Sequence, residues 1–433
     1  MGDTFWDKAK SFMGDMAVSM EYGLPFPWPG GGQRRTMYME EFEDIRPFKD
    51  SEVTEILGQL LSDTEFLKMV ARMRLPRLHR FAAPVAQALV KTRLRGEFKR
   101  VNNVNAFQQV VKKYFDKVIS GTTSRVSVGG LGQLKRDSAY LFISNHRDIA
   151  LDPAFVNNAL RSSRFDTARI AIGDNLLSKP FASHLMRLNK SFIVNRSARG
   201  RQMLLATKKL SRYIRFSLEA ENESIWLAQR EGRAKNSLDK TEPAIIRMLS
   251  MSLNRKTETF GDYIRSLNIV PVSISYEWDP CDLLKATELA HRTSGEAYEK
   301  ADHEDLNSIG RGITGQKGAV HIHFGNVLDG NYDTPEQVAD AVDAQIWKNY
   351  VLHPANLVAY EMRYGEVPAL PVGAEGSPFL LDRHVDTKKA MEERLLNVPR
   401  ETHEIFLDIY ANPVISRLKV TSNNKENLKT LAS

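Results

Sequence analysis

The chain has 433 residues, 42% of them hydrophobic and 26% charged, with one cysteine, Cys281, and a net charge of +7. That length predicts two or three domains around a large core, and the composition is that of an ordinary globular protein. A single cysteine excludes an internal disulfide, leaves no material for a Cys/His zinc site and fits a reducing compartment. No run approaches the roughly 18 apolar residues that span a bilayer. The start, Met1-Gly-Asp-Thr-Phe-Trp-Asp7, lacks the basic and apolar regions of a secretory signal, and Gly2 is not followed by Ser or Thr at position 6 as myristoylation prefers. The expectation is a soluble or peripheral protein, cytoplasmic and peripheral at the inner face of the membrane.

Residues 1–22 predict a short amphipathic helix through Phe5, Trp6, Phe12, Met13, Met16 and Met20. The run Pro25-Phe-Pro-Trp-Pro-Gly-Gly-Gly32 breaks it and reads as a linker. Residues 1–46 are therefore an appendage, suited to packing on the main body or to a membrane or partner contact. Residues 47–122 predict a helical bundle. Val53, Ile56, Leu57, Leu60 and Leu61 share one face, and Ser62-Asp-Thr-Glu65 reads as a capping box before Phe66, Leu67, Val70 and Met73. A third stripe runs through Phe107, Val110, Val111, Tyr114, Phe115 and Val118.

The positive charge is concentrated in this bundle. Between Arg72 and Arg100 nine Lys and Arg face Glu97 alone, a net +8 that leaves −1 for the rest of the chain. Phe81-Ala-Ala-Pro-Val-Ala-Gln-Ala-Leu-Val90 forms an apolar centre between those cations. Such a segment suits an anionic membrane surface, where each nearby Lys or Arg contributes about 1 kcal/mol. It would equally attract an acidic carrier protein, or serve as a buried helix with solvated basic ends. No reader motif or aromatic ladder accompanies the charge, so nucleic acid is not an expected partner.

From about residue 123 the pattern becomes strand alternating with helix. The candidate strands are 126–128, 140–144, 168–172, 192–194, 224–227, 269–275 and 319–324. About seven β segments separated by helices predict an α/β domain over 123–350, a mainly parallel sheet covered by helices. Residues 241–266 and 284–303 read as helical inserts, and a helix follows through Val338, Ala341, Val342, Ile346 and Trp347. Residues 351–433 form a C-terminal extension, with a helix expected over 386–397 and a polar, loose end from Thr421.

The stretch that organises the domain is Tyr140-Leu-Phe-Ile-Ser-Asn-His146-Arg-Asp148-Ile-Ala-Leu-Asp152-Pro153. A buried strand delivers a histidine to its end, and Asp152-Pro153 opens the next helix. Open α/β sheets build their sites at such places. A carboxylate on Nδ1 would fix the imidazole tautomer and leave Nε2 as a base, and both Asp148 and Asp152 are candidates. His146-Arg147-Asp148 also begins like a kinase catalytic loop. That motif needs Asn five residues after its Asp, where Pro153 stands, and the chain has no kinase glycine loop or Asp-Phe-Gly.

Three later strand ends add charge or an apolar wall. Phe192-Ile-Val-Asn-Arg196 presents a guanidinium, whose planar fork suits phosphate. Arg230-Glu231-Gly232-Arg233-Ala-Lys235 gathers cations around one glycine. There Gly232 would let backbone approach a ligand, Glu231 could accept from a hydroxyl, and Arg233 and Lys235 would favour an anion. Asn268-Ile-Val-Pro271-Val272-Ser-Ile-Ser-Tyr276 is an apolar strand whose internal proline implies an edge or a bulge.

Together these stretches resemble the glycerol-phosphate and lysophosphatidate O-acyltransferases. Ser144-Asn145-His146 with Leu151-Asp152-Pro153 is similar to the family's Asn-His-x4-Asp motif, with five residues between His146 and Asp152 instead of four. Arg196 matches the Arg of a second motif, where Lys190-Ser191 replace the family's glycine. Arg230 to Lys235 resembles Pro-Glu-Gly-Thr-Arg-Ser, with Arg230 for the proline and one residue fewer before Arg233. Residues 268–277 resemble the fourth motif. The resemblance covers about 125–330 and places helices ahead of the catalytic fold.

It implies transfer of an acyl group from acyl-coenzyme A or acyl carrier protein to a hydroxyl of glycerol 3-phosphate or its monoacyl form. His146 would be the base, paired with Asp152 or Asp148. Arg196, Glu231, Gly232, Arg233 and Lys235 would bind the acceptor, and Pro271 and Val272 would line the acyl channel. No metal or organic cofactor is implied. The other readings are a non-catalytic peripheral membrane protein and an acyl-thioester hydrolase. His321 and His323, at the end of the last strand, read as structural.

Overall fold

The structure, a computed structural model, describes residues 40–293, 304–366, 368 and 384–431. The expected helix over 1–22 and the linker after it lie outside these residues. All seven expected strands form: β1 (Thr123–Gly129), β2 (Leu141–Ser144), β3 (Arg169–Gly173), β4 (Ser191–Val194), β5 (Ile225–Ala228), β6 (Ile269–Tyr276) and β7 (Gly318–Phe324). Helices separate them, and the fold is the expected α/β arrangement with a mainly parallel sheet. The described residues divide into two compact units, one comprising Val118–Thr167 with those from Ser211 onward, the other residues 40–117 with Ala168–Leu210.

The first unit holds five strands in the order β1-β7-β6-β2-β5. β2 pairs in parallel with both β5 and β6, and β7 pairs in parallel with β1 but antiparallel to β6. Every residue of β2 and β6 is buried. Their largely apolar make-up follows from that, since a strand covered on both faces has no solvent-facing side, and the few serines they carry, Ser144, Ser273 and Ser275, are buried too.

The proline of β6 corrects an expectation. Pro271 lies in a central strand, opposite Ile143 of β2, and the register there is unbroken. Continuing the ladder with β7 by one step puts Pro271 opposite Gly325, whose N–H donates to the Pro271 carbonyl at 2.8 Å. A residue in place of Pro271 would have returned that bond to the Gly325 carbonyl. Instead Gln133 donates its Nε2 to the Gly325 oxygen at 2.8 Å, so the missing donor is supplied from elsewhere and neither edge nor bulge is needed.

The described residues after 350 are built into this unit. Helices Pro354–Tyr364, His384–Leu395 and His403–Leu431 bury Val358, Met391, Phe406 and Tyr410 in one core with Ala286. Arg394 and Tyr410 both bond to the buried carboxylate of Asp282, at 2.5 and 2.6 Å. The loose end expected from Thr421 is instead helical to Leu431.

In the second unit β3 and β4 pair in parallel. Helices Val53–Ser62, Thr64–Arg74, Pro76–Phe81, Ala83–Phe98 and the start of Val104–Thr122 close around Leu57, Leu60, Phe66, Leu67, Val90, Leu94 and Phe107. The cap of Thr64–Arg74 falls one residue later than the sequence suggests. Asp63 accepts from Phe66 N at 2.8 Å, while the Ser62 hydroxyl donates back to the Gly58 carbonyl. Of two adjacent side chains able to cap, the one with extended backbone does so, and Ser62 is still helical.

Candidate active site

The site grows from the end of β2. Asn145 prolongs the pairing to β6 with its side chain: Ile274 N donates to Oδ1 at 2.7 Å and Nδ2 donates to the Ile274 carbonyl at 2.9 Å. The backbone is thereby fixed just before it turns, and His146 projects from a fixed point. Its ring lies edge-on to Trp226, centroids 5.7 Å apart, and Trp226 donates its indole N–H to Ser144 Oγ at 3.0 Å.

Of the two candidate acids, the structure joins Asp152 to the histidine. Asp152 is fully buried in the first turn of the helix Leu151–Ser162. Its Oδ2 lies 2.8 Å from His146 Nδ1 and also accepts Arg147 N at 2.6 Å and Asp148 N at 3.0 Å, while Oδ1 accepts the Tyr276 hydroxyl at 2.7 Å. Backbone N–H groups can only donate, so Oδ2 acts as an acceptor and the histidine proton belongs on Nδ1. Nε2 then carries the lone pair, and it makes no hydrogen bond among the described residues. Asp148 has another task. Its Oδ1 accepts from Ala150 N and Leu151 N at 2.9 and 2.8 Å, tying down the entry to the helix. Burial, with Asp152 nearby, holds its carboxyl above the usual range.

A buried ion pair backs the loop. Arg147 Nη2 meets Asp239 Oδ2 at 2.6 Å, and Asn145 Nδ2 bonds the same oxygen at 3.1 Å. Lys285, itself paired with Asp279, donates to the Arg147 carbonyl at 2.8 Å. Arg147 and Asp239 are outside the set that sequence reasoning selected. Arg147 could have been noticed as an arginine inside an otherwise buried turn, but nothing local marks Asp239 as its partner.

Because β5 lies beside β2, the loop after β5 comes up beside the histidine. Gln229 N donates to the Ser144 carbonyl at 2.8 Å, and Ala234 N to the His146 carbonyl at 3.0 Å. Gly232 has φ +72° with open space where a side chain would go, so glycine is needed there for conformation and not for room. Arg233 is half-buried and donates to Ser308 Oγ at 3.4 Å, and no carboxylate pairs with it among the described residues. Lys235 is committed elsewhere, its ammonium paired with the buried Glu288, which Arg292 also meets at 2.6 Å. Glu231 is half-buried in the same loop.

On β6, Val272 lies opposite Ser144 and so shares the face of Trp226, while Pro271 alternates to the other face. His321 and His353 are pushed down to about 4 by burial and bond Ser127 Oγ and Ser275 Oγ, at 2.7 and 3.1 Å. They are neutral structural groups. Arg196 belongs to the second unit, after β4, where its backbone N–H donates to Asp174 Oδ1 at 3.1 Å. At the other end of β4, Lys190 has φ +62°. That is the left-handed backbone that glycine adopts most readily.

These geometries can be set beside known proteins. Residues 125–275 match the family model described as Acyltransferase. This stretch is an acyltransferase-family domain. The acyltransferase match takes in most of β1, all of β2 to β5 and β6 up to Ser275, with His146, Asp152, Arg196 and Arg233, and stops before β7. Among solved structures, the 1-acyl-sn-glycerophosphate acyltransferase of Thermotoga maritima is similar over 67% of this chain and 90% of its own, with 14% identity and a TM-score of 0.29. The comparison with curated proteins found no match.

Proposed function

We propose that this acyltransferase moves a fatty acyl group from an acyl thioester to a hydroxyl of glycerol 3-phosphate or 1-acylglycerol 3-phosphate, a step of phospholipid synthesis. The observation that carries the proposal is the bond between His146 Nδ1 and Asp152 at 2.8 Å, which directs the lone pair of Nε2 away from the acid. Nε2 takes the proton of the acceptor hydroxyl as its oxygen attacks the thioester carbonyl. Asp152 stabilises the imidazolium that results. As the tetrahedral species collapses, the C–S bond breaks and the thiolate takes that proton, leaving ester and free thiol. General-base help of this kind is worth about 10²–10⁴-fold. Arg233 is the proposed phosphate ligand of the first unit, and Arg196 enters through the sequence resemblance alone. The step requires no cofactor beyond acyl-coenzyme A or acyl carrier protein as co-substrate.

The test uses purified protein, palmitoyl-coenzyme A or palmitoyl-acyl carrier protein, and either glycerol 3-phosphate or lysophosphatidate. Acceptor-dependent thiol release with a new phospholipid product is expected, and its loss in His146→Ala. Thiol release indifferent to the acceptor would replace the proposal with a thioester hydrolase.

A lipid product favours work at a membrane surface. No described helix is long and apolar enough to cross a bilayer. The helices Pro76–Phe81 and Ala83–Phe98 instead expose Phe81 (84%), Val85 (53%) and Leu89 (52%), with Arg77, Arg80 and Arg93 also exposed. We propose that this face rests on an anionic leaflet, its apolar side chains among the acyl chains and its cations at the headgroups. Leu89→Glu should reduce sedimentation with phosphatidylglycerol vesicles, and phosphatidylcholine vesicles should bind poorly from the start. Equal binding of both proteins to both vesicles would exclude this face.

A further inference from the structure

Tyr276 closes β6 at the point farthest along the chain from the histidine loop, and sequence reasoning gave it no role beyond the apolar strand. Its hydroxyl donates to Asp152 Oδ1 at 2.7 Å, the oxygen that the imidazole does not use. The ring is buried and held edge-on by Phe155, one helical turn after Asp152, with centroids 5.8 Å apart. Asp152 is thus gripped at both oxygens. Oδ2 takes the imidazole and two backbone N–H groups, Oδ1 takes the phenol, and the carboxylate plane cannot swing.

We infer that Tyr276 is a positioning residue for the dyad, orienting the Asp152 carboxylate and drawing off part of its charge so that His146 stays a poised base. The inference rests on the proposed function for its bearing on catalysis, though not for its effect on the histidine. The charged groups around the phenol are Asp152, Asp148 and Asp279, and behind the loop stand Arg147, Asp239 and Lys285. Burial, with Asp152 beside it, raises the phenol far above its usual range, so the hydroxyl remains a donor at every working pH.

The sign of the effect follows from charge. Removing one donor leaves more negative charge on Asp152, and a stronger neighbouring anion favours the imidazolium. Tyr276→Phe keeps the ring against Phe155 and removes only the oxygen. The His146 titration midpoint, followed by NMR of labelled imidazole, should rise. The acid limb of kcat/KM should move to higher pH, and kcat should fall roughly tenfold with the thioester KM unchanged, as for one charge-assisted hydrogen bond.

A second variant tests the opposite direction. Site-specific 3-fluorotyrosine at position 276 makes the phenol a stronger donor and should lower the same midpoint. A merely structural tyrosine would change the melting temperature and leave the midpoint alone. Folded variants whose His146 midpoint stays at the wild-type value in both cases would overturn the inference. If the midpoints move as stated while wild-type protein transfers no acyl group, the positioning role stands and the proposed reaction falls.

Discussion

Ala234 donates its backbone N–H to the carbonyl of His146, so the loop that carries Arg233 is hung on the histidine itself. The proposed base and the proposed phosphate ligand are held by one hydrogen bond between neighbouring strand ends, and a shift in either loop is felt by the other. Arg233→Ala should raise the acceptor KM at least tenfold, in line with a charged hydrogen bond worth about 1.5–3 kcal/mol. Lys235→Ala should leave that KM nearly unchanged and cost stability instead, since its ammonium is spent on Glu288. Steady-state kinetics and thermal melts of the two variants separate these outcomes. An acceptor KM that rises equally in both would return Lys235 to the substrate.

The two acids near His146 should behave differently. Asp152→Asn offers one oxygen to four donors and permits the wrong imidazole tautomer, so kcat should fall by about 10³–10⁴-fold. Asp148→Ala removes the acceptor for Ala150 N and Leu151 N and should cost about 0.5–2 kcal/mol of stability, with a far smaller loss of kcat. Thiol release and chemical denaturation on both variants make the comparison.

Lys190 holds a left-handed backbone that costs a side chain about 1–2 kcal/mol. Lys190→Gly should therefore be neutral or stabilising, while Lys190→Val should destabilise clearly, a β-branched residue being the worst suited to positive φ. The ranking of the three melting temperatures decides it.

Asp343 provides a pH-dependent anchor. Its Oδ1 accepts from Thr241 N at 2.8 Å and Thr241 Oγ1 at 2.5 Å, at the far end of the loop bearing Arg233. Burial raises its carboxyl to about 7 from an ordinary 3.8. An acid raised on folding stabilises fully below its unfolded value and loses that contribution as pH climbs through the folded one. Between pH 4 and 7 this group alone should weaken the protein, by up to about 4 kcal/mol over the full span. Asp343→Asn, whose amide oxygen can still accept from Thr241, should flatten that part of the stability curve. A melting-temperature profile parallel to the wild type would refute the assignment.

Much of this was legible from sequence because periodicity reports burial. The seven strands and the helical bundle announce themselves through apolar runs and stripes, and the histidine appears at a strand end with acids after it. Strand neighbours are what the sequence withholds. Nothing near Tyr276 indicates that β6 lies against β2, so its hydroxyl could not be assigned to Asp152. The same ignorance made Pro271 look like an edge residue, when a glutamine some 140 residues earlier supplies the donor it lacks. The choice between Asp148 and Asp152 also needed coordinates. Only the fold of the turn, with His146 Nδ1, Arg147 N and Asp148 N all meeting Oδ2 of Asp152, shows which carboxylate faces the ring.

The strand order bears on how a smaller piece of this protein would behave. Most of β1 falls inside the stretch that matches the family, yet its ladder partner is β7, which that stretch omits. A polypeptide cut to 125–275 would strand β1 without a neighbour and leave one rim of β6 with bare amides and carbonyls, an open template for sticking to other copies. Expression boundaries drawn from the family match would therefore yield aggregates, and a ribosome must release the chain past residue 324 before that rim can be sealed.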